Sequence, residues 1–240
     1  MTINRGAIAA APADGILLFM NTNLQNSETV ASQRIPAGSE IVIGTTNAKK
    51  LVELTPYIQP LGFPLKILAD FPNPLEVDET GTTFLENARL KASQQAQHLG
   101  RWTIGEDSGL CVPALDGAPG IYSARYSGPE ATDEKNNQKL LLELGKTPPE
   151  KRAAYYVSTM ALASPDGTIQ IEAEGRCWGR IIDQYRGSGG FGYDPLFEIP
   201  EYHRTFAELG GTVKRALSHR GRALGVFVQK LRRIMEAAQE

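Results

Sequence analysis

The chain has 240 residues, of which 41% are apolar, enough to bury the core of one α/β domain or of two small ones. Its net charge of −2 gives no electrostatic footprint for nucleic acid, and no run of about 18 apolar residues indicates a membrane span. The two cysteines, Cys111 and Cys177, lie far apart and outside any CxxC pattern. They indicate reduced thiols in a cytoplasmic protein, because a zinc site would need more ligands.

Residues 1–40 differ in composition from the rest of the chain. An alanine-rich stretch leads to the short apolar run Ile16–Met20 and then to a mostly polar segment. The apolar run is short for a secretory signal, and no clear cleavage site follows it. We therefore expect a loosely ordered extension over residues 1–40, followed by one folded domain over residues 41–240.

The domain begins with alternating strands and helices. Ile41–Ile43 is a β-branched run typical of a buried strand, and it leads into a helix capped by Thr46 or Asn47. Pro56 falls inside this helical pattern and is expected to shorten or kink the helix. Leu65–Ala69 is the next predicted strand.

A capping-box pattern, Thr83 with Glu86, then opens a second helix that ends at Gly100. A strand over residues 102–105 follows, and an amphipathic helix is predicted over residues 132–144.

The remaining elements are of a different kind. Alternating apolar residues in Ala153–Ala163 and Thr168–Arg176, around a Pro-Asp-Gly turn, predict an antiparallel hairpin. A glycine-rich loop comes next, and Ser218 can cap a closing helix. This order predicts an α/β fold with a mixed twisted sheet and flanking helices.

Two adjacent carboxylates, Glu106 and Asp107, follow the third predicted strand within the pentapeptide Gly105–Gly109. Like charges raise one another's pKa, and a cation such as Mg²⁺ removes that cost, so the pair suggests a metal site at a strand end. The same pentapeptide is also typical of a solvated turn, because Asp, Ser and Gly are turn formers. Asp78 and Glu79 precede the second helix, where they are either further metal ligands or partners of the helix dipole.

Hydroxyl, amide and lysine side chains open the first helix over Thr45–Lys50. Helix amino ends attract phosphate through free N–H groups and the dipole, and lysine adds charge. The Gly-Lys-Ser/Thr core of a Walker A loop is absent, and an ordinary capped helix with solvated lysines would explain the same residues. Lys91 shares a face of the second helix with Asn87, and is either a surface lysine or a phosphate contact.

The glycine-rich loop matches GxGxxG over Gly187–Gly192. We reject the dinucleotide-binding interpretation because no helix opens there and no βαβ unit surrounds it. Glycines allow close backbone approach, and Phe191 or Tyr193 could stack on a flat heterocycle with the Asp194 carboxylate beside them. The alternative is a hairpin loop with a buried aromatic residue.

Three basic side chains, Lys214, His219 and Arg220, lie before and at the start of the closing helix. Arginine presents a fork of donors to a carbonyl or a phosphate. A lone histidine is more often structural than catalytic, and the Gly-x-Ser-x-Gly motif of a serine hydrolase is absent.

Taken in order, these motifs resemble the inosine triphosphate pyrophosphatase family, whose members act on non-canonical purine nucleoside triphosphates. The resemblance covers about residues 41–235, and the ordered set is specific although each motif alone is weak. The matching stretches are residues 45–50, 79–88, 106–110, 117–125, 189–195 and 217–221.

The resemblance implies two lobes around a central nucleotide-binding cleft, and a homodimer with no nucleic-acid or membrane partner. It implies Mg²⁺-dependent hydrolysis, with Mn²⁺ as an alternative ion, of ITP, dITP and XTP to the monophosphate and pyrophosphate. Such a reaction removes unwanted nucleotides from the precursor pool.

The resemblance also assigns roles to individual residues. Asp107 matches the metal ligand and proton acceptor, with Glu106 as an alternative acceptor and Glu79 and Asp78 as further metal ligands. Lys91 is expected in the catalytic group, binding the charge of the departing pyrophosphate. The expected substrate contacts are Thr45, Thr46, Asn47, Ala48, Lys49 and Lys50 at the phosphates, Ser108 beside the acids, Phe191, Gly192, Tyr193 and Asp194 at the base, and Lys214, His219 and Arg220 at the purine 6-keto group.

Two positions depart from the family pattern. Thr46 stands where many members have glycine, which restricts the phosphate loop, and Glu106 stands where many bacterial members have aspartate.

Two other functions stay open: a pyrophosphatase for modified pyrimidine or ordinary triphosphates, and a nucleotide-binding regulatory module without turnover. The candidate acids argue against the module, because a binder needs no general base.

Overall fold

A seven-stranded mixed sheet forms the centre of the part of the chain that the computed structural model describes, residues 34–236 without the side chains of Lys49 and Glu236. Residues 1–33 of the predicted extension lie outside the described residues. The strands are β1 (Ile41–Ile43), β2 (Leu65–Ile67), β3 (Trp102–Cys111), β4 (Ala153–Ala163), β5 (Ile169–Ile181), β6 (Phe197–Ile199) and β7 (Arg204–Thr205). The helices are α1 (Ala48–Ile58), α2 (Phe84–Leu99), α3 (Asp133–Leu144), α4 (Gly211–Leu217) and α5 (His219–Glu236).

The strand order in the sheet is β2-β1-β3-β4-β5-β6-β7. β1 is parallel to both β2 and β3, whereas every later pair of neighbours is antiparallel. Parallel strands need crossover helices, which α1 and α2 supply, and the antiparallel part follows from hairpin connections. The predicted mixed sheet with flanking helices is therefore confirmed.

β3 is longer than the sequence pattern predicted, and its length corrects the position of the acidic pair. The strand runs through Glu106 and Asp107 to Cys111 instead of ending before the pair. β4 pairs with it along this stretch, with Thr159 opposite Asp107, and this pairing overrides the turn-forming tendency of the residues. Because side chains alternate along a strand, the two carboxylates lie on opposite faces of the sheet. The solvated-turn interpretation is wrong.

A notch forms beside β3 at the point where β1 ends. β1 pairs with β3 only as far as Ile43, opposite Ile104, and the Gly44 amide donates one more bond to the Ile104 carbonyl at 2.7 Å. β3 continues beyond this point without a strand partner on that edge among the described residues. The alternation of backbone groups directs the N–H and C=O of Glu106 and Ser108 to this open edge. Crevices at the carboxyl ends of parallel strands are common ligand sites in α/β proteins.

Helix α2 packs closely over β3 because small residues face one another. The predicted capping box at Thr83 is present, and the helix ends, as expected, at a left-handed Gly100. A Cβ on Gly105 would lie 2.1 Å from the Ala88 carbonyl oxygen, so only glycine permits this approach. The close packing brings the first half of α2 within reach of the acidic side chain on its face of β3.

The opposite face of the sheet is covered by α1 and α5. Leu54 and Ile58 of α1 share one buried core with Leu224 and Phe227 of α5. α1 continues past Pro56 to its end at Ile58, so the proline does not shorten the helix as predicted.

The later elements follow the sequence pattern more closely. The β4–β5 hairpin forms as predicted, although β5 extends to residue 181, and α5 begins after Ser218, whose hydroxyl accepts a hydrogen bond from Gly221 N at 3.1 Å. Cys111 and Cys177 are free and buried, as expected for reduced thiols. Among the residues described, no helix is both long and apolar enough to cross a membrane.

Candidate active site

Two carboxylates share one lysine on the α2 face of β3. Lys91 Nζ lies 3.2 Å from Glu79 Oε1 and 3.2 Å from Asp107 Oδ1. One helical turn earlier, Asn87 Nδ2 donates to Asp107 Oδ2 at 3.2 Å. Helix α2 therefore sets both contacts to Asp107, and the segment before the helix supplies Glu79.

This group has the chemistry of a divalent-cation site. Burial raises the pKa of Asp107, and the Glu79 carboxylate adds to the rise although Lys91 and Asn87 oppose it. Two carboxylates face one ammonium, so one negative charge remains uncompensated. Mg²⁺ is typically held by one or two carboxylates together with waters and substrate phosphates, and this donor set fits that pattern.

The described residues do not form a complete metal cage, since no three His, Cys, Asp or Glu side chains gather among them as a metal-binding group. Asp78 is exposed beside Glu79, and no described contact joins it to Asp107. Glu79 and Asp107 are the two predicted ligands that the structure brings to one lysine, and Asp78 stays a prediction.

On the opposite face, Glu106 is buried in an ion-pair network at the start of α5. Arg220 Nε donates to Glu106 Oε1 at 2.6 Å, and Lys50 Nζ lies 3.3 Å from Glu106 Oε2. The Ser158 hydroxyl donates to Glu106 Oε1 at 2.9 Å, and Arg220 also donates to Glu53 Oε2 at 2.5 Å. One carboxylate of β3 thus ties together α1, β4 and α5.

The charges in this network fix its protonation. Burial alone would raise the pKa of Glu106, but Arg220 and Lys50 outweigh burial and hold that pKa well below its usual range. Burial would lower the pKa of Arg220, but Glu106 and Glu53 raise it. Glu106 is therefore an ionised anchor for two cations, and its contacts do not support the alternative that it accepts a proton.

The loop from β1 to α1 carries the phosphate-binding candidates. Thr45 Oγ1 accepts from the amide of Asn47 at 3.1 Å, which gives the loop a local turn before α1 begins at Ala48. Thr46, Asn47 and Ala48 are exposed at the amino end of this helix. The backbone of Lys49 belongs to α1, but its side chain lies outside the described residues. The exposed helix start provides N–H groups for an anion.

The glycine-rich loop between β5 and β6 presents an exposed aromatic ring. Phe191 is 43% exposed, and Lys214 Nζ lies 4.7 Å from its ring centroid. Asp194 forms an ion pair with Lys214 and accepts from Phe191 N at 2.9 Å. A Cβ on Gly190, whose φ is +79°, would lie 1.9 Å from Asp194 Oδ2, so glycine is required for this loop to close.

Tyr193 does not share this exposure. It is buried, and its hydroxyl donates to the Ser123 carbonyl at 2.8 Å. The prediction that Phe191 or Tyr193 stacks on a base is therefore corrected: only Phe191 has an accessible ring, and Tyr193 is part of the core beneath it.

His219 is buried at the start of α5, with its ring stacked 4.8 Å from that of Tyr156. Burial and the neighbouring Arg220 lower the pKa of His219 well below its usual value, so the imidazole is neutral. Its Nδ1 has no hydrogen-bond partner among the described residues. An unpaired buried nitrogen at this position is suited to a polar atom of a ligand.

The structure places the predicted residues in four groups: the first on the α2 face of β3, the second on the opposite face, the third at the start of α1 and the fourth at the glycine-rich loop, with Asp78 exposed beside the first. Ser108 belongs to the second group, since Arg220 donates to its hydroxyl at 3.4 Å. Sequence reasoning missed Glu53 and Ser158. Glu53 carries a weak sequence signal, because it lies three residues after Lys50 on α1 and therefore on the same side of the helix.

The fold and these groups define a class of protein: an α/β protein with acidic and basic side chains gathered along a strand at the carboxyl end of a parallel pair. The sequence model of the Ham1 family matches residues 41–230, and the chain belongs to the Ham1 family.

Individual relatives agree with this assignment. The chain is 51% identical to the dITP/XTP pyrophosphatase of Rhodopirellula baltica, over 82% of this chain and 95% of the relative. It is 49% identical to the Geobacter sulfurreducens protein of the same name, over 80% of this chain and 96% of the relative. A solved Ham1 structure from Coxiella burnetii superposes with a TM-score of 0.76 at 36% identity, covering 81% of this chain and 99% of that chain. The Ham1 protein of Staphylococcus aureus gives a TM-score of 0.74 at 38% identity, covering 80% and 98%.

Proposed function

We propose that this protein hydrolyses the non-canonical purine nucleoside triphosphates dITP, XTP and ITP to the monophosphate and pyrophosphate. The observation that carries the proposal is the Lys91 ammonium held 3.2 Å from both Glu79 and Asp107. Asp107 lies on the stretch of β3 that borders the notch, and the loop from the end of β1 leads into the start of α1, which is suited to phosphate. The names of the curated relatives support the same reaction.

The phosphate chain would bind at the amino end of α1. The N–H groups at the start of this helix and the dipole favour an anion, and Lys50 adds a positive charge. Lys50 is oriented by Glu106 at 3.3 Å, which holds the ammonium near the open edge of β3. Thr45, Asn47 and Ser108 offer hydroxyl and amide groups to phosphate oxygens at the same edge.

Asp107 is the proposed proton acceptor. Its carboxylate is held by Lys91 and Asn87 on the strand that borders the notch, which would position it to accept a proton from water beside the substrate phosphates. Lys91 would stabilise negative charge on the departing pyrophosphate. Glu79 and Asp107 would hold Mg²⁺, or Mn²⁺ as a substitute, and a bound divalent ion neutralises phosphate oxygens during attack by water.

The purine would bind against Phe191, with its polar edge toward the start of α5. The unpaired Nδ1 of His219, in the neutral tautomer that protonates it, and the N–H groups of Arg220 beyond those bonded to Glu106, Glu53 and Ser108 would donate to the 6-keto group of hypoxanthine or xanthine. An exocyclic 6-amino group would meet donors rather than acceptors there, and each mispaired buried donor costs about 1–3 kcal/mol. Discrimination against ATP would follow from two or three such contacts.

We further propose a cytoplasmic homodimer. The sheet face beyond α2 exposes Trp178, which is 56% accessible, and the centroid of its ring lies 4.6 Å from that of Tyr155 with the two rings tilted by 42°. A surface cavity of about 850 Å³ adjoins this face at Tyr155 and Val157 and extends to Glu79. Exposed aromatic surface of this kind is typical of interface cores. Light scattering should give the mass of two chains for the wild type and of one chain for Trp178→Ser, whereas Leu142→Ser, at an exposed position on α3, should remain dimeric.

One assay tests the proposed activity. The protein is incubated with dITP, XTP, dUTP and ATP in the presence of Mg²⁺, and pyrophosphate and phosphate are detected separately. Pyrophosphate released mainly from dITP and XTP supports the proposal. Faster release from dUTP or ATP would indicate a pyrophosphatase of different specificity, and phosphate without pyrophosphate would mean that another bond is cut. Nucleotide binding without turnover would indicate a regulatory module.

A further inference from the structure

Helix α3 holds the backbone of Gly192, the residue that follows the exposed ring of the glycine-rich loop. Asp133 Oδ2, in the first turn of α3, accepts from Gly192 N at 2.7 Å. One turn later, Asn137 Nδ2 donates to the Gly192 carbonyl at 2.9 Å. Residues four apart lie on the same face of a helix, so α3 presents one acceptor and one donor to the two backbone groups of a single residue.

The two hydrogen bonds from α3 hold the glycine-rich loop by a helix that lies outside the loop itself. Gly192 has a φ of +59°, and a Cβ there would meet no atom within 4 Å, so its conformation rather than space demands glycine. Phe191, next to it, is held from inside by the bond from its amide to Asp194. The Phe191 ring is therefore carried on a backbone bonded on both sides, and α3 supplies one of these two anchors.

The bond to Gly192 is the one hydrogen bond of the Asn137 side chain among the described residues. The side chain is buried, and its Oδ1 has no hydrogen-bond partner among the described residues. Rotating the amide would place its oxygen against the Gly192 carbonyl, so this carbonyl fixes the orientation of the side chain. A buried polar side chain with one bond and one unsatisfied atom contributes little to stability, which suggests that its value lies in positioning.

We propose that Asp133 and Asn137 are positioning residues for purine recognition, acting through the backbone of Gly192 on the Phe191 ring. The inference rests on the proposed function, because it takes Phe191 as the stacking surface for the base. We call the two hydrogen bonds from Asp133 and Asn137 to Gly192 the clamp. Loss of the clamp should weaken binding of the base in the ground state and the transition state alike. Such a loss raises KM while leaving kcat nearly unchanged.

The central variant is Asn137→Leu, which keeps the volume of the side chain and removes both the donor and the unpaired oxygen. We expect its KM for dITP to rise roughly two- to tenfold, the effect of one lost hydrogen bond. Asp133→Ala should behave in the same way, and Asp133→Asn, which keeps an acceptor for Gly192 N, should restore most of the affinity. Gln138→Ala, on an exposed part of the same helix, is the matched control and should leave KM unchanged.

A double-mutant cycle separates positioning from a general structural effect. In a Phe191→Ala background, Asn137→Leu should change KM by less than about twofold, because its effect is transmitted through the missing ring. Equal effects of Asn137→Leu in both backgrounds would overturn the proposal, and so would a KM that matches the wild type. A fall in kcat with unchanged KM would contradict it as well.

Hydrogen exchange gives a readout that does not depend on activity. The Gly192 amide should exchange faster in Asp133→Ala than in the wild type, while the amides of β3 keep their protection. Unchanged exchange at Gly192 would mean that the clamp does not hold the loop in solution. Wild-type turnover is measured in the same series, so an inactive wild type would refute the proposed function while the exchange result still decides whether the clamp exists.

Discussion

The substitution Asp107→Asn separates the proposed catalytic role of this carboxylate from its structural role. Asparagine keeps the shape of the side chain and an oxygen that can accept from Lys91. It replaces the acceptor of the Asn87 bond by an amide group, and the loss of one such bond costs about 1 kcal/mol. Against this loss, the substitution removes one of two carboxylates that face a single ammonium, which leaves Lys91 and Glu79 as a balanced pair. These effects offset one another, so the free energy of unfolding should stay within about 1 kcal/mol of the wild type.

The catalytic effect should be far larger. Removing a positioned proton acceptor typically costs about 10²- to 10⁴-fold in rate, or roughly 3 to 5 kcal/mol in the activation free energy. Turnover of dITP is measured by pyrophosphate release, and the free energy of unfolding by urea titration in EDTA, so that bound metal does not contribute to stability. Asp183→Asn, at an exposed position in the loop after β5, serves as the control and should change neither quantity.

Two results would refute this reasoning. Near-normal turnover by Asp107→Asn would mean that the carboxylate neither accepts a proton nor binds an essential ion. Lost turnover together with a loss of several kcal/mol in stability would show that Asp107 is a structural residue whose removal disrupts the site indirectly.

Three further predictions concern buried ionisable groups. Glu106→Gln leaves the buried Arg220 with one carboxylate instead of two. It should lower the free energy of unfolding, measured by urea titration, by about 3 kcal/mol. A loss below about 1 kcal/mol would contradict a tightly paired network. Burial would raise the pKa of the Glu198 carboxyl, but two arginines hold that pKa below the usual 4.5. The contribution of this carboxylate to stability is therefore present above pH 4.5 and is lost on acidification. Unfolding followed between pH 6 and pH 3 should therefore show a smaller decline for Glu198→Gln than for the wild type, and equal slopes would refute the assignment. Burial raises the pKa of the Cys177 thiol to about 11 and also raises the pKa of the Cys111 thiol. A thiol reagent at about pH 8 should therefore modify both cysteines only after unfolding. Rapid labelling of the native protein would contradict their burial.

Local signals in the sequence predicted much of the scaffold. The capping box before α2, the turn between β4 and β5 and the serine before α5 are decided by hydrogen bonds within a few residues, and all three appear in the structure. The end of β3 was predicted wrongly because it depends on β4, which is distant in sequence. Pairing along β4 provides backbone partners to a polar stretch that alone would favour a turn.

The candidate site shows the same division. The ordered motifs placed the acids, the lysines and the aromatic loop in one family, and family membership is confirmed. Residue types and spacing alone did not separate the two acids, and only the resemblance favoured Asp107 over Glu106, since adjacent residues on a strand share neither face nor neighbours. Glu53 and Asn137 were missed because each gains its importance from a partner more than 50 residues away, Arg220 in one case and Gly192 in the other.

By itself, the sequence determined the local elements, the family and the types of side chain available for phosphate, metal and base. Only the tertiary structure decided that Asp107 shares Lys91 with Glu79 while Glu106 is neutralised by Arg220 and Lys50 on the other face of the sheet. The physical reason is that local hydrogen bonds and side-chain periodicity are encoded within a few residues. Burial and electrostatic partnership are set by elements that meet only when the sheet is assembled, so two neighbouring carboxylates acquire opposite pKa shifts and different partners.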